Sequence, residues 1–336
     1  MEGPGRPSRP GLGILGCAHV HIRDAVTLLR RRADVEVRGV WDHDGTRARR
    51  WAEELGAICV EEVEQILEDR SVCAVVVMTE TDRHPEMVER AASGGKHLFV
   101  EKPLAISGAA ALQAANVIES SDGLFHTGYF LRQLPALRLL RAKVLHGSLG
   151  RIVGLRGHFA HRGATDGLLD DAPWMMGRAT AGYGGFGDLG VHLIDLMTWM
   201  LDEPVVEVCA TLGSLAGEED LDQYGHGMLR FAGGSVGFIS AGWVEFASPI
   251  TLSVSGTKGH AYVADGELVF AVEPSIHLAI PPSAKSVGAE AALETFIDAV
   301  TGKQGVQLVE PRDAARHCQI LDALYQAARD GTWVGT

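Results

Sequence analysis

The chain has 336 residues, 46% of them hydrophobic and 22% charged, enough for two domains of roughly 100–200 residues with a core each. Its net charge of −13 excludes the broad cationic footprint that holds nucleic acid or an anionic membrane surface, so neither is expected as a partner. The five cysteines, Cys17, Cys59, Cys73, Cys209 and Cys318, are scattered without a C-x-x-C spacing, which excludes a disulfide framework and fits the reducing cytoplasm.

Residues 1–10 carry three prolines and no apolar stretch, so they read as a flexible N-terminus and not as a signal peptide. Residues 11–126 alternate short β-branched runs with amphipathic segments. The runs Leu12–Leu15, Val35–Trp41, Ala57–Val60, Ala74–Thr79, His97–Glu101 and Leu124–Thr127 predict strands. Cys73–Met78, the longest apolar run, is far shorter than the ~18 residues that span a bilayer. Between the strands, Thr46–Leu55 and His84–Ser93 place apolar residues at helical spacing and end at glycine. Strands alternating with helices predict an α/β domain with a doubly wound parallel sheet.

Residues 127–336 have a different texture. Strands are expected at Arg151–His161, Val205–Leu215, Met228–Phe231, Ser235–Val244, Ile250–Ser255, His260–Ala264 and Leu268–Val272, joined by hairpin turns such as Gly256-Thr257-Lys258-Gly259. Helices are expected at Asp188–Leu201, Ala289–Thr301 and Arg312–Asp330. This half predicts an α+β domain with a large, mostly antiparallel open sheet.

Three segments carry chemistry. A G-x-G-x-x-G match at Gly11, Gly13 and Gly16 would need a strand before Gly11, which the prolines forbid. The better register makes Leu12–Leu15 the strand and Gly16 the first glycine of the turn, with Ala18 and His21 in the second and third fingerprint positions. A helix starting near Val20 then offers its N-terminal N–H groups and dipole to a pyrophosphate, so Gly16, Ala18, His19 and Val20 are cofactor-binding candidates. Asp42 closes the second strand 26 positions after Gly16. An acid there accepts hydrogen bonds from an adenosine ribose and repels a 2′-phosphate, favouring NAD over NADP. It also suits a solvated turn.

Lys102 follows the strand His97–Glu101 at its C-terminal end, where open α/β sheets bind ligands, and Pro103 constrains its backbone. Asp188, His192, Asp195 and Trp199 recur at i, i+4, i+7 and i+11, which puts them on one helical face beside a glycine-rich turn, as in a cleft wall.

The segment Gly95-Lys96-His97-Leu98-Phe99-Val100-Glu101-Lys102-Pro103-Leu104-Ala105 resembles the G-K-H-x-x-x-E-K-P-L-A signature of the glucose–fructose oxidoreductase and inositol dehydrogenase (Gfo/Idh/MocA) family. Thr79–His84 resembles its T-P-x-x-x-H stretch, with Glu80 where proline is usual. Gly184–Asp195 resembles G-G-G-x-x-x-D-x-G-x-H-x-x-D. The resemblance runs from Gly11 to Val334 and implies a Rossmann domain followed by a substrate and oligomerisation domain in a homodimer or homotetramer.

It further implies hydride transfer between NAD and a secondary hydroxyl of a sugar or cyclitol. A sugar 3-hydroxyl of aminoglycoside or sugar-nucleotide biosynthesis is one such substrate. Lys102, Asp188 and His192 would be catalytic, with His192 as general base, while Thr79, His84, Glu101 and Lys102 would face the cofactor. Tyr129 and Trp174, with Arg132, Tyr183 and Tyr224, lie in segments that resemble the substrate pocket.

Two other readings exist. One is a cofactor-binding regulator of the same fold without turnover, against which Lys102, Asp188 and His192 argue. The other takes His19-Val20-His21 as resembling the H-x-H metal pair of amidohydrolase barrels, which needs eight parallel strands and further ligands. The antiparallel second half does not supply these, so no metal is expected.

Overall fold

The computed structural model describes residues 9–215, 221–246, 250–272, 276–280 and 288–336; of the expected flexible N-terminus, residues 1–8 lie outside them. The chain forms two compact units. The first takes the described residues up to Ala105, Leu112–Gly128 and Gly288–Ala314; the second takes those of 106–111, 129–287 and 315–336.

The first unit is built on β1 (Gly11–Leu15), β2 (Glu36–Trp41), β3 (Ile58–Cys59), β4 (Val72–Val77), β5 (His97–Val100) and β6 (Phe125–Thr127), with helices α1 (Ile22–Arg31), α2 (Gly45–Leu55), α3 (Glu64–Leu67), α4 (His84–Ser93) and α5 (Gly108–Glu119) between them. All pairings are parallel, in the order β3-β2-β1-β4-β5-β6. Strands covered on both faces bury every side chain, which is why β1 is wholly buried and β4 reads as a valine run. Helix α1 turns Ala25, Val26, Leu28 and Leu29 inward. Helix α2 is capped by the Asp44 carboxylate, which accepts from the Thr46 and Arg47 amides, and it stops at Gly56 in the left-handed region. The strand order reverses between β1 and β4, so their carboxyl ends flank the crevice where such sheets take ligands.

The second unit contains α6 (Pro135–Leu145), β7 (Ile152–Ala160), α7 (Arg178–Ala181), α8 (Gly185–Leu201), β8 (Val205–Gly213), β9 (Tyr224–Phe231), β10 (Val236–Gly242), β11 (Thr251–Gly256), β12 (Gly259–Ala264), β13 (Glu267–Val272) and β14 (Ile276–Ile280). After α9 (Glu290–Val300) and α10 (Pro311–Asp330), β15 (Val334–Gly335) joins the same sheet at its far edge. Nine strands run β14-β13-β12-β11-β7-β10-β9-β8-β15; only β7 and β10 pair in parallel. Helix α8 packs on one face, where Gly157 and Gly237 leave room for Leu193 and Met197. The other face exposes Phe238 and Tyr262.

Two expectations are corrected. Residues 127–336 do not form a single body, because α9 groups with the first unit: Phe296 packs on Phe99 with ring centroids 5.9 Å apart, and Arg32 bonds Asp298 at 2.7 Å. Apolar periodicity marks a helix but not the core it joins. Helix α8 also begins at Gly185 and not at Asp188, since donors from its glycine turn are satisfied by distant residues. Six parallel strands followed by an antiparallel sheet are no (β/α)₈ barrel, so the amidohydrolase reading is excluded.

Candidate active site

In the first unit, Gly16 has φ +82° and donates its N–H to Trp41 O at 2.7 Å. A Cβ there would lie 2.6 Å from Thr79 N, so only glycine lets the turn pass against Thr79. This fixes the register at Gly16, with Gly11 and Gly13 inside β1. The Ala18 and His19 amides both donate to Met78 O, at 3.0 and 3.1 Å. Val20 precedes helix α1, which starts at Ile22 with His21 as its N-cap, and the His21 ring makes no capping bond.

Asp42 stands at the end of β2, as expected, but its carboxylate is already engaged. Oδ2 accepts from the Cys17 amide at 2.6 Å and Arg47 Nε at 2.8 Å, while Oδ1 accepts from the Asp44 amide at 2.7 Å and Arg47 Nη2 at 2.8 Å. These four donors use its lone pairs, so a ribose hydroxyl would have to displace one of them. Arg47 also reaches Glu80 Oε1 at 3.0 Å. Desolvation alone would lower the Arg47 pKa, but Asp42 and Glu80 raise it. Sequence reading missed Arg47, whose only signal was its place in the first turn of α2.

Glu101 and Lys102 follow β5, and both are buried. The Lys102–Pro103 peptide is cis. The Pro103 carbonyl meets His84 Nδ1 at 3.0 Å, and burial lowers the His84 pKa. Glu101 lies 3.4 Å from His21 Nδ1 and 4.0 Å from His19 Nε2. Burial would raise the Glu101 carboxyl, but the two imidazoles and Lys102 hold it well below the usual carboxylate range. Among the described residues, Thr79 Oγ1, His84 Nε2 and Thr127 Oγ1 are buried without a hydrogen-bond partner. Thr79, just past the end of β4 and against the Gly16 turn, thus leaves a buried hydroxyl that the polar groups of a bound dinucleotide would satisfy.

In the second unit, α8 carries Asp188, His192 and Asp195, all buried. Asp188 Oδ2 accepts from Trp243 Nε1 at 2.9 Å. The His192 ring sits among Phe130, Phe159 and Tyr129, with centroids 5.2, 5.5 and 6.0 Å away. Asp195 belongs to a framework: Arg132 Nε bonds both its oxygens at 3.0 Å and Nη2 bonds Oδ1 at 2.6 Å. His317 Nδ1 lies 3.7 Å from Asp195, and its Nε2 is 3.1 Å from Thr198 Oγ1. Burial, with Arg132 and Arg316, pushes the His317 pKa well down. Trp199 lies under Arg141, 4.7 Å from ring centroid to guanidinium, so only Asp188 and His192 of the expected row are left for chemistry.

Tyr129 is fully buried, edge-on to His192 and His317. Trp174 is half-buried in the short turn Pro173–Met176. Tyr183 bonds Asp322 at 2.7 Å and so serves the framework, and Tyr224 is half-buried on β9. Sequence reading missed Trp243 and His317, which reach α8 from distant parts of the chain without a local motif.

Residues 11–129 match the model of an oxidoreductase family with an NAD-binding Rossmann fold, and residues 137–262 match the Gfo/Idh/MocA C-terminal domain. Levoglucosan dehydrogenase of Pseudarthrobacter phenanthrenivorans is 28% identical over 220 residues, spanning 58% of this chain and 56% of that enzyme. A dTDP-3,4-didehydro-2,6-dideoxy-alpha-D-glucose 3-reductase of Actinomadura kijaniata is 25% identical over 343 residues, covering 98% and 99% of the two chains. Among solved structures, levoglucosan dehydrogenase in complex with NADH superposes with a TM-score of 0.83 at 22% identity, over 97% of this chain and 99% of that one. The first unit is thus an NAD-binding Rossmann domain, and the chain belongs to the Gfo/Idh/MocA family of oxidoreductases.

Proposed function

We propose that the chain is an NAD-dependent dehydrogenase moving hydride between nicotinamide and a secondary hydroxyl or ketone of a sugar, cyclitol or sugar derivative. The observation that carries this reading is the burial of Lys102, 2% exposed, at the carboxyl end of β5. Lysine is seldom buried so far unless it is paired, and one set beside the buried Glu101 carboxylate at the carboxyl end of a parallel strand stands where such sheets take ligands. The dehydrogenases and reductases of sugars and cyclitols among its relatives favour that substrate class.

Bound NAD supplies the redox chemistry. In this reading Gly16, Ala18, His19, Val20, Thr79, His84 and Glu101 hold it. In the same reading Asp42, held by Arg47, stands at the end of β2, where a carboxylate disfavours a 2′-phosphate. His192 takes the hydroxyl proton as general base. Lys102 and Asp188 orient the hydroxyl and stabilise its developing charge, and Tyr129 and Trp174 contribute to the substrate site. We place the enzyme in the cytoplasm, consistent with five cysteines that form no disulfide. We also read it as a homo-oligomer through the exposed sheet face, where Phe238 and Tyr262 would otherwise stay in water. Sedimentation of Phe238→Glu against the parent chain tests that assembly.

Calorimetric titration with NADH and NADPH comes first, followed by turnover on polyols, sugars and sugar nucleotides. NADH should bind more tightly than NADPH. His192→Ala and Lys102→Ala should each lower kcat by about 10²–10⁴, with NADH binding retained in His192→Ala. Unchanged turnover in both variants on an identified substrate would sink the reading.

A further inference from the structure

We infer that His19, His21 and Glu101 form a binding site for a divalent first-row transition ion of the zinc type, within the first unit and beside the Gly16 turn. The inference goes beyond the dehydrogenase reading; His19 and Glu101 also stand in the cofactor set of that reading, so a bound ion and NAD would compete for them.

One ligand atom from each of the three side chains lies within 4.8 Å of the others. Ligand atoms about 2.1 Å from a tetrahedral zinc ion lie about 3.4 Å apart. The 3.4 Å between His21 Nδ1 and Glu101 Oε1 already meets this, and the wider separations in the set, up to 4.8 Å, close as the side chains rotate onto the ion. Two imidazoles and one carboxylate are a ligand set of borderline-soft divalent ions, which calcium and magnesium, preferring oxygen alone, do not favour.

Burial supports the assignment. The Glu101 and His19 side chains are 4% and 1% exposed, and His21 is 22% exposed, so the cluster has two buried ligands and one at an opening. The carboxylate is held from behind, where the Lys102 amide donates to Oε2 at 3.1 Å. Such outer contacts orient a metal-binding carboxylate. Binding through His19 Nε2 gives up the contact of Nδ1 with the His21 amide, a long hydrogen bond of 3.3 Å, and the ring reorients accordingly. Three protein ligands leave a position for an oxygen donor, as in open zinc sites.

The H-x-H pair alone is ambiguous, because its usual setting is a barrel. Here the third ligand arrives from β5, two strands away from β1 across β4, and sequence spacing cannot announce that.

The test uses the full chain, stripped with chelator and free of dinucleotide. Zn²⁺ alone is titrated by calorimetry, and Co²⁺ serves as a spectroscopic probe. The expected result is a single tight equivalent, a Co²⁺ spectrum of low coordination number, and at least about tenfold weaker binding in His21→Ala and Glu101→Gln. Far-UV circular dichroism shows whether the variants fold, and the Co²⁺ spectrum of the parent chain reads the site without them. Zinc binding that survives His21→Ala belongs to other histidines and overturns the inference, as does a Co²⁺ spectrum of six oxygen ligands. NADH titration of the stripped protein reports on the dehydrogenase reading separately, so either can fail alone.

Discussion

At Gly16 the backbone leaves no choice of residue. A φ of +82° costs any L side chain, and a Cβ would meet Thr79 N at 2.6 Å and Thr79 Cα at 2.7 Å, backbone atoms that cannot step aside. Gly16→Ala should cost about 1–3 kcal/mol of stability and weaken NADH binding by more than about tenfold; thermal melts and calorimetry check both. A variant that melts and binds like the parent would refute the turn register. This position was legible in the sequence because the prolines before Gly11 excluded the competing alignment. Asp42 was legible as an acid at the end of β2, but not its saturation by Arg47 and two amides. Hydrogen-bond partners are set by folded geometry, and a residue type says only what it can accept.

At the scale of elements, α8 shows how a long-range cap positions chemistry. Its glycine-rich start has no capping side chain of its own. Asp222 Oδ2 accepts from the Phe186 amide at 2.7 Å, the Asp222 carbonyl accepts from the Gly185 amide at 2.8 Å, and Tyr325 OH bonds Asp222 Oδ1 at 2.6 Å while receiving the Gly184 amide. Asp222→Ala would leave the Phe186 N–H and the Tyr325 hydroxyl without their acceptor, at about 1–3 kcal/mol each. Chemical denaturation should show that loss, with Asp222→Asn milder, and turnover should fall as Asp188 and His192 lose their rigid helix. A denaturation midpoint unchanged in Asp222→Ala would refute this role. The 3.6-residue periodicity revealed the helix and its polar row. Its true start was hidden because the capping group lies 36 residues further along the chain.

For the whole molecule, buried histidines set the acid limb of stability. Burial lowers the pKa of His84 and His317 below the ordinary 6.5. As pH falls through about 6.5, the unfolded chain protonates both while the folded chain does not. The unfolded state then holds more protons, and stability drops by about 1.4 kcal/mol per pH unit for each group until its folded pKa is reached. Glu101, depressed in the fold, adds a second loss as pH falls below about 4.5 toward its folded value. Denaturation between pH 7 and pH 5 should show the first slope, and His317→Gln should flatten it; equal slopes in variant and parent would count against this account.

The sequence by itself determined the two architectures, the place of the glycine turn, the strand carrying Glu101 and Lys102, and the helix carrying Asp188 and His192. Each rests on local rules: hydrophobic period, glycine and proline conformation, and a short motif. Only the tertiary structure decided that α9 completes the first core and that Arg47 saturates Asp42. It alone showed that Arg132 holds both oxygens of Asp195, and that Glu101 closes on His19 and His21. All of these join residues distant in the chain, and the contact energies that select them depend on distance in space, which a linear pattern does not encode.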